Sequence, residues 1–154
     1  RLSVISSLER NAGKKTLDAL ITKRLIDNEA RAKKVIVTAA DVDAEIKKIE
    51  DQVKAQGATL DQAMSEQGIT LSYLKDQITV QKELEGLLAD QIAVSDADVK
   101  KYIADNKITV PKGQEANFND QIKNQLKQQK LSDSASALIE TLKAKSKIRY
   151  FVNY

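Results

Sequence analysis

Three acidic side chains at the start of one predicted helix are the strongest candidates for ligand chemistry in this sequence. Asp41, Asp43 and Glu45 lie close together, and carboxylate oxygens are the ligands that hard divalent cations prefer. However, Thr38 places Asp41 at the third position of the helix, which is the pattern of a capped N-terminus with an acidic first turn. We therefore interpret these acids as helix-capping residues and predict no metal site.

Nucleophilic catalysis needs a reactive side chain and a base, and the sequence suggests no such pair. The chain has no Cys and no His, which excludes thiol chemistry, Ser–His chemistry, Cys/His zinc sites and imidazole acid–base catalysis. Catalysis by carboxylate or lysine side chains is not excluded by the composition, although no group of residues in the sequence indicates either. No phosphate-binding loop points to ATP. The sequence thus predicts a protein that is not an enzyme, with no catalytic residue and no cofactor.

The composition favours a folded helical protein. The 154 residues suit one domain, 42% of them are hydrophobic, and 5 Gly and 1 Pro leave room for long helices. The net charge is only +3 and most lysines have an acidic neighbour, so no nucleic-acid partner is predicted. No apolar stretch approaches the roughly 18 residues of a membrane span. Because the chain starts inside an apparent helix, we expect that a signal or anchor segment was removed, which leaves membrane proximity open.

Apolar residues at helical spacing predict an all-α, multi-helical fold that is not an up-and-down bundle. Helix starts are predicted at capping residues, and helix ends at Gly57 and Gly68. A helix over residues 71–92 is expected to be the spine of the fold. The predicted starts are Lys14 (after a break at Gly13), Thr38, Thr59, Thr70 or Ser72, Ser95, Phe118 and Ser132.

Two segments depart from helical spacing. Ile148, Tyr150 and Val152 alternate along the chain as in a strand, and a strand needs a backbone partner. We predict a small two-stranded β element in which this segment pairs with Leu2–Ile5. Residues 106–117, which hold the only proline, form the predicted linker within a single domain of residues 1–154.

Three segments with amphipathic motifs follow one another along nearly the whole chain. The first is Leu17–Ile26, continuing through Glu29 and Ala30 to Val37–Asp43; the second is Leu60–Leu88, with a Tyr73-Leu74-Lys75-Asp76-Gln77-Ile78 run; the third is Phe118–Tyr150, with Ile122–Leu126 and a closing Ile148-Arg149-Tyr150. In this order and spacing they resemble the SurA/PrsA-type family of extracytoplasmic chaperones.

The resemblance implies ATP-independent binding of unfolded or extended client proteins, in the periplasm or at the cell surface. In that family a parvulin-type prolyl-isomerase domain usually stands where this chain has only the 106–117 linker. The parvulin active site typically contains histidines, and this chain has none. The chain therefore resembles the chaperone core without the isomerase, and no catalytic residue carries over.

Four side chains are candidates for lining a peptide-binding groove: Met64, Tyr73, Tyr102 and Phe118. Methionine adapts to irregular surfaces, and tyrosine combines an apolar face with a polar tip. The alternative for each residue is an ordinary core position. A second function also stays open, since amphipathic helices joined by a linker suit a helical adaptor, or an oligomerisation module that forms a domain-swapped homodimer.

Overall fold

Six α-helices make up the part of the chain that the structure describes. This computed structural model describes residues 2–109, 113 and 115–148, with side chains from residue 13 onward. The predominantly helical fold predicted from the sequence is confirmed, and the described residues contain no strand. The helices are α1 Leu2–Ala32, α2 Ala39–Ala55, α3 Leu60–Gln67, α4 Leu71–Leu87, α5 Asp96–Asp105 and α6 Glu115–Lys145.

Capping boxes begin three of these helices, at Thr38, Thr59 and Ser95. In α2, the Asp41 N–H donates to Thr38 Oγ1 at 3.2 Å, and the Thr38 N–H donates to Asp41 Oδ2 at 2.9 Å. Each box satisfies backbone donors that a helix N-terminus leaves free. The three predicted starts are confirmed. They could be predicted from the sequence because the capping signal is contained within four consecutive residues.

Four of the described helices end in the same backbone motif. A residue with positive φ follows the helix, and the next N–H donates to the carbonyl five positions back, as in a Schellman motif. Glycine adopts positive φ freely, whereas another residue pays about 1–2 kcal/mol. The positive-φ residues are Lys34, Gly57, Gly68 and Lys107, and the bonds are Val35 to Ala30, Ala58 to Val53, Ile69 to Met64 and Ile108 to Ile103.

The helices group into two compact units, each with its own buried side chains. The first unit includes the chain as far as Leu87, and the second is Leu88–Ser146. In the first, α4 contacts α1 and α2, and α2 contacts α3; in the second, α5 packs against α6. Compact units can fold together, so the single-domain assignment stays a prediction. The buried apolar residues are Ile26, Ala30, Val42 and Ile78 in the first unit, and Leu88, Ile92, Val99, Ile122, Leu131 and Ala135 in the second.

Three predicted helix boundaries were wrong. Gly13 lies inside α1, since one interior glycine costs a helix only about 1 kcal/mol. Ser132 lies inside α6, where it is exposed and caps nothing. The helix predicted over residues 71–92 ends at Leu87, and the turn that follows buries Leu88 and Ile92. The spine role of that helix stays a prediction.

The predicted strand pairing was wrong at its N-terminal side. Leu2–Ile5 belong to α1, where the backbone is helical rather than extended and the carbonyl groups accept helical hydrogen bonds, so this segment cannot form one strand of a β pair. Its other side is the segment from Ile148 to Asn153, of which Ile148 is described and lies outside any strand, while the rest lies outside the described residues. The predicted linker 106–117 lies partly outside them, and α6 already begins at Glu115.

Candidate functional site

A hollow between α1 and α4 is a concave surface of the first unit. Its volume is about 580 Å³, within the range of ligand-binding clefts. We call it the α1–α4 hollow. It is lined by Thr16, Asp18, Ala19, Leu20, Thr22 and Lys23 of α1 and by Tyr73, Asp76, Gln77 and Val80 of α4.

Apolar side chains within the α1–α4 hollow are unusually open to solvent. Leu20 is 59% exposed and Tyr73 is 52% exposed. Further along α1, Ile26 and Ala30 are each only 1% exposed. The two helices are therefore closely packed beyond the hollow, while the hollow itself leaves apolar surface uncovered.

Lys23 carries the main electrostatic contacts of the hollow. Its Nζ atom lies 3.2 Å from Asp27 Oδ2 on α1 and 3.7 Å from Asp76 Oδ1 on α4. On the same wall, the Thr22 hydroxyl donates to the Asp18 carbonyl at 2.7 Å. The rim thus carries two acids, Asp18 and Asp76, and one cation that is shared with a third acid.

Asp27 and Glu83 bring two carboxyl groups together across α1 and α4. The Asp27 side chain is 16% exposed, and within the described part of the chain Asp27 Oδ1 and Glu83 Oε2 are buried without a hydrogen-bond partner. Burial first, and the neighbouring Asp27 carboxyl second, raise the pKa of Glu83 to about 7, while Lys23 and Arg31 act in the opposite direction. Between pH 4.5 and about pH 7, Glu83 therefore holds a proton that an isolated glutamate would have lost.

The sequence contains no local signal for this carboxyl pair, because Asp27 and Glu83 come from distant segments. Each looks like an ordinary polar position of an amphipathic helix. The exposure of Leu20 has a weak signal in the sequence. Leu17, Ile21 and Leu25 form an apolar stripe with a spacing of four, and Leu20 lies beside this stripe. The spacing of Leu17, Leu20, Ile21 and Leu25 by itself predicts a single apolar face that includes Leu20, and the structure instead leaves Leu20 59% exposed.

The acids considered for a metal site each have a separate partner. Asp41 belongs to the capping box, and hydrogen bonds from Thr38 lower its pKa. Asp43 Oδ1 lies 3.2 Å from Lys75 Nζ. Glu45 Oε2 lies 2.8 Å from Lys82 Nζ, and this hydrogen bond lowers the Glu45 pKa. The latter two contacts join α2 to α4, so these residues stabilise the first unit.

The four predicted lining residues are divided between the two units. Tyr73 lines the α1–α4 hollow, while Met64 is half-buried in α3. In the second unit, Phe118 is half-buried in α6, and half-buried Tyr102 of α5 accepts a hydrogen bond from Gln125 Nε2 at 3.4 Å. Of the four, Tyr73 lines the α1–α4 hollow, and a binding role for each stays a prediction.

Comparison with known proteins found no matching protein-family model, no matching curated protein and no matching solved structure. The likeness to the SurA/PrsA-type family accordingly stays a proposal that rests on the sequence motifs. None of the helices in the described residues combines the length and apolar character that crossing a membrane requires.

Proposed function

We propose that this chain binds unfolded or extended polypeptide segments through the α1–α4 hollow, without ATP and without isomerase activity. The observation that carries the proposal is the exposure of large apolar side chains there. Leu20 and Tyr73 line the hollow, and Leu71, which is 45% exposed, lies at the start of the same helix α4. Exposed apolar side chains that cluster commonly mark an interaction site.

The chemistry of the hollow suits polypeptide better than a small ligand. Its apolar surface is formed by Ala19, Leu20, Tyr73 and Val80, and its rim carries charges of both signs. An extended chain presents apolar side chains beside polar backbone and charged groups, so such a surface can accept many sequences. Tyrosine is well adapted to this contact because its ring packs while its hydroxyl stays in water.

The resemblance to the SurA/PrsA-type chaperones supports a proposal about which proteins are clients and where they fold. We propose that these are proteins that fold outside the cytoplasm, in the periplasm or at the cell surface. Among the four predicted lining residues, Tyr73 is the one that we propose contacts clients directly. Met64, Tyr102 and Phe118 remain candidates for additional contact surface.

Suppression of aggregation tests the proposed function. A chemically unfolded model protein is diluted into increasing amounts of this chain, and light scattering is followed. We expect dose-dependent suppression that saturates and that persists in moderate salt, because the contact is largely apolar. Leu20→Ser and Tyr73→Ser should each weaken it. Ile36→Ser is the matched control, since Ile36 is 80% exposed and lies outside the hollow.

Absence of suppression at several-fold excess of the chain would contradict the proposed function. It would favour a helical adaptor or oligomerisation module, which sedimentation of the chain alone over a range of concentrations would reveal. Equal loss of suppression in Ile36→Ser and Tyr73→Ser would also count against the hollow, because exposed apolar residues in general would then be responsible.

A further inference from the structure

Lys23 connects the Asp27–Glu83 pair to the α1–α4 hollow. Its ammonium group lies 3.2 Å from Asp27 and 3.7 Å from Asp76, and both Lys23 and Asp76 line the hollow. The same cation therefore interacts with the half-buried acid pair on one side and with the rim on the other. A change in the charge of the pair must alter how Lys23 is shared.

The carboxyl groups of Asp27 and Glu83 lie close together, and each has one oxygen that solvent does not reach. Two adjacent carboxylates cannot both ionise cheaply, so they share one proton. Lys23 and Arg31 of α1 are the cations that act on Glu83. Lys82, its neighbour on α4, is instead held by Glu45 of α2 at 2.8 Å. Loss of the shared proton thus leaves a second negative charge on which Lys23 and Arg31 act, and of these two Lys23 is the one that lines the hollow.

We propose that the Asp27–Glu83 pair is a proton-controlled switch that sets the charge of the α1–α4 hollow through Lys23. With one proton on the pair, Lys23 is shared between Asp27 and Asp76. When the proton leaves, the two carboxylates draw Lys23 towards them, and the Asp76 carboxylate on the rim is freed. Partial burial raises the pKa of Glu83 to about 7, so this change falls near neutral pH rather than in the acid range.

The occupant that this switch favours is a polypeptide segment with lysine or arginine beside apolar residues. The freed Asp76 joins Asp18 on the rim, and a rim with more negative charge attracts basic segments. This part of the inference rests on the proposed function. The switch itself does not, because it concerns groups within the chain.

Nuclear magnetic resonance of the chain alone tests the switch. We expect the carboxyl carbon of Glu83 to titrate near pH 7, and the chemical shift of the Asp76 carboxyl carbon to respond with an inflection at the same midpoint. Glu83→Gln, which keeps the shape and hydrogen-bonding ability of a protonated glutamate, should remove the inflection at Asp76. Titration of Glu83 in the ordinary acid range, or an Asp76 that does not respond to it, would overturn the proposal even if Glu83→Gln failed to fold.

Peptide binding tests the predicted preference. A labelled unstructured peptide of Leu, Phe and Lys should bind about two- to fivefold more tightly at pH 8.5 than at pH 5.5, which is the size of one exposed charge interaction. A twin peptide with Glu in place of Lys should show the opposite trend. Glu83→Gln should abolish both trends. Glu50→Gln should keep them, because Glu50 lies outside the hollow and is a partly exposed acid paired with Lys54 at 2.7 Å.

The two experiments separate the two proposals. Binding of neither peptide at any pH would contradict the proposed function, while the carbon titrations would still judge the switch. Binding that is equally strong at both pH values, together with a responsive Asp76, would overturn the preference for basic segments. The same pH trend in Glu83→Gln would overturn the assignment of the switch to this pair.

Discussion

A methyl group of Val35 occupies the space that a β-carbon on Gly86 would need. Val35 belongs to the connector after α1, and Gly86 lies in the last turn of α4. The absence of a side chain at Gly86 therefore allows the connector to approach α4. This contact closes the packing of α1 on α4 at the end remote from the hollow.

Gly86→Ala should destabilise the chain by about 1–3 kcal/mol through overpacking against Val35. Helix propensity alone would favour alanine by up to about 1 kcal/mol, so the sign of the change reports the clash. Urea unfolding followed by circular dichroism measures it. The double variant Val35→Ala/Gly86→Ala should recover part of the loss, and strictly additive effects would contradict the contact.

Lys107→Gly should stabilise the chain by about 0.5–1 kcal/mol. Lys107 has a φ of 51°, a conformation that glycine adopts without the cost that a β-carbon imposes. Thermal unfolding compares it with Gly68→Ala, which introduces a β-carbon at a φ of 64° and should destabilise by about 1 kcal/mol. If both substitutions change stability in the same direction, the assignment of these helix ends is wrong.

Ile78→Ala should cost about 2–5 kcal/mol, because Ile78 of α4 is only 4% exposed and alanine would leave a cavity. Ile36→Ala is the control, with an expected change within about 0.5 kcal/mol since Ile36 is 80% exposed. Denaturant melts of the two variants measure the difference. A small effect at Ile78 would show that α4 is not packed as described.

The free energy of unfolding should fall as pH rises from about 4.5 to about 7. Glu83 has its pKa raised from 4.5 to about 7 in the folded chain, so over this range the folded chain holds more protons than the unfolded chain. Glu83 is partly exposed, and solvent screening reduces the effect to roughly 1–2 kcal/mol. Urea melts across this range measure the fall.

Other acids act in the opposite direction below this range. Hydrogen bonds from Thr38 lower the pKa of Asp41, and those from Lys82 and Ser95 lower the pKa values of Glu45 and Asp98. Their contribution is present above the ordinary acid pKa and is lost as pH falls, so stability should be greatest at about pH 5. Glu83→Gln should remove the fall towards neutral pH, and a persistent fall in that variant would exclude Glu83 as its source.

The parts of the fold that the sequence predicted are those encoded by neighbouring residues. The capping residues Thr38, Thr59 and Ser95 act within their own first turn, so their positions follow from local pattern. Gly13 and Ser132 carry similar signals, but the helices continue through them. A capping residue marks a helix start only when the preceding residues do not themselves favour a helix.

The candidate site was predictable only in part because it depends on distant contacts. Tyr73 was singled out for its chemistry, and it lines the hollow. The contact of Lys23 with Asp76 and that of Asp27 with Glu83 join α1 to α4, and no spacing rule within one segment can reveal them. Burial is also a property of the assembled fold, so the unusual proton affinity of Glu83 has no signature in the sequence.

The capping boxes and Schellman ends have a consequence for the unfolded chain. Each is made by residues at most five positions apart, so it can form before any tertiary contact exists. We expect residual helix around residues 38–58 under mildly denaturing conditions. The reason is that α2 has a capping box at its N-terminus and a Schellman motif at its C-terminus, and both are local. Refolding should then begin from preformed helical segments and be complete within about microseconds to milliseconds, as for other helical chains rich in local contacts.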